Sequence, residues 1–177
     1  MIISTLPITL TAKFLGFKSN LKFRGVRTIY VLINKKKILP NKCHWLYFSS
    51  KKIIFNRVSE HKKMTKYVSP NNSTCLSVEI SYSKYDEVDK MNFSQIKEIV
   101  KQDLLKVGLV KNEEILDFSE NKEDFVYPIQ FSDYKYELSE TNAKIAKYKS
   151  IYSLGTGGEF NYSDSQILFH KTMDLVN

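Results

Sequence analysis

The stretch that most restricts how this chain can fold is VRTIYVLIN at residues 26–34. Its nearly continuous β-branched and aromatic side chains are typical of a central strand covered on both faces. The stretch STCLSVEISYS at 73–83 instead alternates between large or apolar and small or polar side chains. We therefore expect an antiparallel sheet with a hairpin between its second and third strands. The expected strands are residues 26–34, 44–49, 53–58 and 74–82.

A helix is predicted for residues 93–107, because apolar side chains recur there at helical spacing. Asn92 is suited to cap its start and Gly108 to follow its end. The same patterns predict a strand at 125–130, interrupted by Pro128, a short strand at 151–155, and helices at 136–149 and 164–176. Strands dominate the first half of the chain and helices are interspersed later, without regular βαβ spacing. We therefore expect an α+β fold, a mostly antiparallel sheet with helices packed on it. The stripe of the first helix consists of Phe93, Ile96, Val100, Leu104 and Val107.

The length and composition predict one domain over residues 1–177, because 42% hydrophobic residues can build one sizeable core. No apolar run approaches the roughly 20 residues that span a membrane, and no signal peptide is recognisable, so we expect a cytoplasmic protein. Cys43 and Cys75 lie in strand-like surroundings, where reduced thiols are expected. The three histidines are far apart in the sequence, and we expect no metal site.

The net charge of +8 suggests an anionic partner, with lysine clusters at residues 35–37, 51–52 and 62–63. These clusters fall between the predicted strands, and no recognition helix or RNA-binding motif accompanies them, which argues against nucleic acid. An anionic small molecule would use the same positive field. Charge alone does not choose between these partners.

The stretch SLGTGGEFNYSD at residues 153–164 is predicted to form a strand end, a glycine turn and the start of a helix. Gly155, Gly157 and Gly158 would let backbone N–H groups approach a ligand, and a helix N-terminus favours an anion. The same letters would also suit an ordinary tight turn. The pattern leaves both interpretations open.

Several segments together resemble flavin-dependent amine-oxidase-type enzymes, a family that includes protoporphyrinogen-oxidase-like proteins and UDP-galactopyranose mutases. MIISTLPIT resembles the strand and turn that close the cofactor-binding part, and RTIYVLINKK resembles the strand that opens the substrate domain. YSLGTGGEFNYSDSQI resembles the closing motif of the family. The order and spacing agree over nearly the whole chain. Further matching residues are Tyr47, Phe55, Arg57, Glu60, Lys62 or Lys63, Glu79, Tyr127 and Pro128.

The resemblance implies roles for particular residues, although it assigns no catalytic residue. The closing motif would approach the flavin, where helix-end N–H groups can stabilise negative charge on the reduced ring. Thr156 stands where the family often has arginine, and the segment between Tyr162 and Asp164 is shorter than usual, which puts the mutase activity in doubt. The implied cofactor-binding residues are Gly155, Thr156, Gly157, Gly158, Phe160 and Asp164. The implied substrate-binding residues are Tyr47, Arg57, Tyr127 and Tyr162.

Arg57 has two possible roles at this stage. It could form an ion pair with Glu60 or Glu79 that orders the end of a strand. Alternatively, its planar fork could grip a phosphate or carboxylate, since the mutase members of the family present an arginine from this stretch to an anionic substrate.

The Rossmann-type half that holds FAD in this family, with its GxGxxG turn, has no counterpart in the sequence. We therefore expect a C-terminal, substrate-binding fragment of an FAD-dependent oxidoreductase or a flavin-dependent sugar mutase. FAD would belong to the complete protein, and the isolated chain would hold none and be inactive. The missing FAD-binding half and an anionic or nucleotide-sugar substrate would be its partners. Two alternatives remain: a non-catalytic binding module that complements a separate cofactor-binding chain, and a basic nucleic-acid-associated protein.

Overall fold

The computed structural model describes residues 1–176. They form two compact units, Gly25–Glu123 and a terminal unit made of Met1–Arg24 with the chain from Asp124 onward. The strands are β1 (Ile2–Ser4), β2 (Phe23–Ile33), β3 (Trp45–Tyr47), β4 (Arg57–Glu60), β5 (Thr74–Tyr82), β6 (Ile115–Pro128) and β7 (Ile151–Ser153). The helices are α1 (Ile8–Phe14), α2 (Glu87–Lys90), α3 (Phe93–Lys106), α4 (Tyr134–Ile145), α5 (Gly155–Glu159) and α6 (Ser165–Val176), with short 3-10 helices at His61–Lys63 and Asn112–Glu114.

The five-stranded sheet has the order β3-β4-β5-β2-β6, and its pairs β3/β4, β4/β5 and β5/β2 are antiparallel. The predicted α+β class with a mostly antiparallel sheet is confirmed. The predicted hairpin is also present, with Leu46 opposite Val58. β5 alternates as its sequence indicates, because Leu76, Val78 and Ile80 are all buried on one face.

Helix α3 covers that buried face of the sheet. Ile96, Val100 and Leu104 are fully buried in one core with Ile29 and Val31 of β2. The predicted stripe is therefore confirmed at its centre, whereas Phe93 at the first turn and Val107 at the C-cap are only partly buried. Asn92 caps the helix, since its side chain accepts a hydrogen bond from the Gln95 backbone while the Gln95 side chain accepts one from the Asn92 backbone.

Three strand predictions need correction. β2 lies inside the sheet between β5 and β6, but only one of its faces is buried along its whole length, because Tyr30 on the other face is 36% exposed. The third strand comprises Arg57–Glu60 and not 53–58, because the preceding loop is held from outside the sheet: the Ile54 N–H donates to the Asp103 carboxylate of α3 at 2.7 Å. β6 begins at Ile115, ahead of the expected 125–130, because its charged residues lie on an edge strand that needs little apolar surface.

The terminal unit has its own core, built on Ile8, Leu21, Phe23, Ile145 and Phe160. β1 and β7 pair in parallel as a two-stranded sheet, with Ile3 opposite Tyr152. The glycine turn predicted after β7 needs correction, because Gly155–Glu159 forms the short helix α5 instead. Helix α4 begins at Tyr134, two residues before the predicted start.

Within residues 1–176, no helix is both long and apolar enough to cross a bilayer. The same residues contain no cluster of three or more potential metal-binding side chains. Cys43 and Cys75 are both free thiols.

Candidate functional site

The most ordered polar group on the open face of the five-stranded sheet is a row of three side chains. Tyr47 on β3 lies opposite Arg57 on β4, which lies opposite Glu79 on β5. Side chains directly opposite each other on neighbouring strands lie close enough to interact. The row therefore follows from strand register, which brings together two of the predicted substrate-binding residues.

Arg57 is held mainly by Glu79. Its Nη2 atom donates to both carboxylate oxygens at 2.7 Å, and its Nε atom donates to Oε1 at 3.0 Å. These hydrogen bonds raise the pKa of the Arg57 guanidinium, so it stays charged. Of the two predicted ion-pair partners, Arg57 therefore pairs with Glu79. Glu60 is buried and accepts hydrogen bonds from the Ile38 and Leu39 backbone instead.

The third nitrogen of Arg57 turns away from Glu79. Its Nη1 atom approaches the Tyr47 hydroxyl at 3.4 Å, a long hydrogen bond, and Tyr47 is 70% exposed. The guanidinium also lies 5.8 Å from the centre of the Tyr47 ring. The Nη1 atom of Arg57 therefore makes only one long hydrogen bond and lies beside an exposed phenol. Both groups are able to donate to an oxyanion.

A second row on the same face places two serines beside a tryptophan. Trp45 lies opposite Ser59, which lies opposite Ser77. Ser77 is 2% exposed, and its hydroxyl oxygen has no hydrogen-bond partner among the described residues. A buried hydroxyl without a partner is costly, and the Ser77 oxygen is closed off from the surface in this structure.

In the terminal unit the structure brings together the other two predicted substrate-binding residues. The rings of Tyr127 and Tyr162 lie 6.2 Å apart between centres, and the Tyr162 hydroxyl donates to the Pro128 carbonyl at 3.1 Å. Partial burial raises the pKa of Tyr162, Tyr127 adds to this rise, and Arg24 acts in the opposite direction. The result is a pair of phenols next to an arginine. No motif in the sequence marks Arg24 as a site residue.

The glycines of α5 serve packing within the terminal unit. A Cβ atom at Gly158 would lie 3.0 Å from the Ser4 carbonyl oxygen, and one at Gly157 would lie 3.3 Å from the Pro7 Cα atom. Gly155 adopts a positive φ of 86°, which favours glycine. The absence of side chains thus lets α5 approach the segment between β1 and α1.

The start of α5 is already occupied by a carboxylate of the chain itself. The Gly155 N–H donates to Glu159 at 3.2 Å, and the other Glu159 oxygen accepts from Lys171 at 2.5 Å. A phosphate at this point would meet a like charge. The phosphate-cradle interpretation therefore does not fit this geometry. Glu159 was missed at the sequence level, because its spacing from Gly155 has meaning only in a helix.

The remaining predicted cofactor residues lie in different surroundings. Phe160 is fully buried, with its ring edge-to-face against Phe23 at 5.1 Å between centres. Thr156 is partly buried, and its carbonyl accepts a hydrogen bond from the Asn161 backbone. Asp164 is exposed, and its carbonyl accepts the first backbone hydrogen bonds of α6. The roles of these residues toward a flavin remain predictions.

An open groove of about 790 Å³ lies beside α4 and the residues that follow α5. Its polar and charged lining comes from Gln130, Lys135, Ser139, Asn142, Glu159 and Asn161. Of the predicted site residues, only Phe160 contributes to this lining within the part of the chain that the structure describes.

Comparison with known proteins identifies the fold. No protein-family model matches the chain, and the comparison with curated proteins also found no match. Among solved structures, a reduced UDP-galactopyranose mutase aligns over 88% of this chain with a TM-score of 0.75 and 22% identity. A protein of Exiguobacterium sp. 255-15 assigned as a protoporphyrinogen oxidase aligns over 88% with a TM-score of 0.67 and 15% identity.

The alignments cover only part of these two proteins. The chain spans 35% of the mutase and 36% of the Exiguobacterium protein. At these identities the likeness concerns the fold. The chain therefore has the fold of the corresponding part of a UDP-galactopyranose mutase and of a protein assigned as a protoporphyrinogen oxidase, as the resemblance in its sequence segments predicts.

Proposed function

We propose that this chain forms the substrate-binding part of a flavin-dependent mutase- or oxidase-type protein and binds an anionic substrate on the open face of its five-stranded sheet. The observation that carries this proposal is the Tyr47–Arg57–Glu79 row, a guanidinium ordered by a bidentate ion pair on a fold shared with a UDP-galactopyranose mutase. A nucleotide-sugar phosphate is the favoured anion, because that protein's name gives such a substrate.

The row is suited to hold an oxyanion because Arg57 is ordered before any ligand arrives. Glu79 uses the Nε and Nη2 side of the guanidinium, which leaves the Nη1 side and the Tyr47 hydroxyl. A planar fork can serve a carboxylate on one side and a phosphate on the other, whereas a lysine ammonium has a single nitrogen.

FAD in the complete protein is part of the same proposal. A bound flavin would supply the redox chemistry, while the residues of this chain would bind and orient the substrate. The segment from Gly155 to Asp164 is the part that the sequence resemblance assigns to the flavin. We include the Tyr127–Tyr162 pair as a further substrate contact, because the Tyr127 hydroxyl can donate to an anion, whereas the Tyr162 hydroxyl already donates to the Pro128 carbonyl.

Titration of the chain with UDP, followed by calorimetry or NMR, tests the role of Arg57. Arg57→Lys is expected to weaken UDP binding at least tenfold, about 1.4 kcal/mol, because lysine cannot contact Glu79 and the phosphate together. Thermal unfolding of the same variant measures how much the Arg57–Glu79 ion pair contributes to stability. We expect about 0–1 kcal/mol for a partly exposed pair.

Lys90→Gln is the matched control, since it removes one exposed positive charge outside the sheet. This variant should bind UDP like the unmodified chain. Unchanged affinity of Arg57→Lys together with a lowered melting temperature would assign Arg57 to the scaffold and contradict the proposal.

A further inference from the structure

Two lysine-rich segments that are separate in the sequence meet at one end of the Gly25–Glu123 unit. Residues 34–44 follow β2, and residues 61–73 follow β4. The Lys63 ammonium donates to the Pro40 carbonyl at 2.9 Å, and the His44 carbonyl accepts from the Glu60 backbone at 2.9 Å. We call these two segments together the basic end. Their contact follows from tertiary structure and not from their spacing along the chain.

The basic end carries a concentrated positive charge. Neither segment contains an aspartate or glutamate. Lys35 is paired with Glu114 at 2.6 Å, and Lys62 donates to backbone carbonyls that include Ser73 at 2.6 Å. Four further lysines are exposed and form no ion pair within residues 1–176. These are Lys36, Lys37, Lys42 and Lys66.

Exposed apolar side chains stand among these charges. Met64 is 53% exposed, Tyr67 83% and Val68 49%, all in the segment that also carries Lys66. The Lys66 ammonium lies 5.3 Å from the centre of the Tyr67 ring. Lysines flanking apolar and aromatic side chains on a surface are the combination that suits the headgroup region of an anionic bilayer.

We propose that the basic end docks the protein onto an anionic lipid surface. The unpaired lysines would contact lipid phosphates and carboxylates, and Met64, Tyr67 and Val68 would enter the interfacial layer. Nucleic acid would use the same lysines but gains little from Met64 or Val68, because single strands are held by aromatic stacking and this segment offers only Tyr67. The apolar side chains therefore favour lipid. The proposal does not depend on the flavin or on Arg57.

Vesicle flotation tests the proposal on the full chain. The unmodified protein is expected to float with phosphatidylcholine vesicles that contain phosphatidylserine and to stay behind with phosphatidylcholine alone. A variant combining K36Q, K37Q, K42Q and K66Q should lose at least about tenfold in partitioning, since each lysine near such a surface contributes about 1 kcal/mol. A variant combining M64S, Y67S and V68S should also lose vesicle binding, although its net charge is unchanged.

The matched control combines K51Q, K90Q, K147Q and K149Q, which removes the same charge from exposed positions outside the basic end. It should retain vesicle binding, and circular dichroism should show all variants folded. Three results would overturn the proposal: no flotation of the unmodified protein, equal loss in the two lysine variants, or full binding by the serine variant. Binding of single-stranded RNA without vesicle binding would assign the basic end to nucleic acid instead.

Discussion

At the scale of single residues, Glu60 shows how one buried carboxylate can hold a loop against the sheet. Its side chain is fully buried and accepts from the Ile38 N–H at 3.0 Å, the Leu39 N–H at 2.8 Å and the Thr74 hydroxyl at 2.7 Å. No ion pair with a lysine or arginine is formed within residues 1–176. Backbone amides therefore satisfy this carboxylate, and in return it holds the loop after β2 against β4.

Glu60→Gln is expected to destabilise the chain by about 1–3 kcal/mol, because the amide NH₂ group turns a donor toward backbone N–H groups that then lack an acceptor. Urea unfolding measures this difference in free energy. Glu113→Gln is the control, since Glu113 is exposed, and it should change stability by less than about 0.5 kcal/mol. Equal stability of both variants would show that Glu60 does not hold the loop.

At the scale of elements, helix α3 and the strands beneath it form the centre of the larger core. Leu104 is fully buried in this core, and Asp103 beside it holds the loop before β4. A single helix therefore closes the sheet face and fixes where the third strand begins. This second role explains why the strand starts at Arg57 although residues 53–56 are rich in apolar side chains.

Leu104→Ala should lower the free energy of unfolding by about 2–5 kcal/mol, because it removes buried methyl groups and leaves a cavity. The measurement is chemical denaturation followed by circular dichroism. Ser94→Ala, on the exposed side of the same helix, should have little effect. A loss below about 1 kcal/mol for Leu104→Ala would mean that α3 contributes much less to the core than its burial indicates.

At the scale of the whole molecule, the described residues contain no strand, GxGxxG turn and helix of the kind that holds the pyrophosphate of FAD. Within the terminal unit, the glycines near the C-terminus are used for close packing, and Glu159 occupies the first amide of their helix. Neither feature supplies a pyrophosphate site. We therefore expect the chain by itself to retain FAD poorly.

The purified chain is consequently expected to be colourless, because most of the interactions that retain FAD involve its pyrophosphate. Absorbance and flavin fluorescence after gel filtration check this expectation. A stoichiometric yellow chromophore that stays with the folded chain would show that the flavin site lies within these residues.

The sequence by itself determined the elements whose patterns are local. The alternation of Thr74–Tyr82, the apolar stripe of α3 and the Asn92 cap follow from side-chain periodicity and short-range hydrogen bonding, and each appears as predicted. The order of the family-like segments also predicted the fold that the solved structures share. These features need no knowledge of distant parts of the chain.

Tertiary structure alone decided the features that depend on residues far apart in sequence. The pairing of Arg57 with Glu79 and not Glu60 follows from strand register, and the meeting of the two lysine segments follows from the Lys63–Pro40 contact. Likewise, the glycines at positions 157 and 158 serve close packing, because a Cβ atom there would crowd the backbone of Pro7 or Ser4. A local pattern specifies which backbone shape a segment prefers, but the neighbours that complete its hydrogen bonds and packing exist only once the chain has folded.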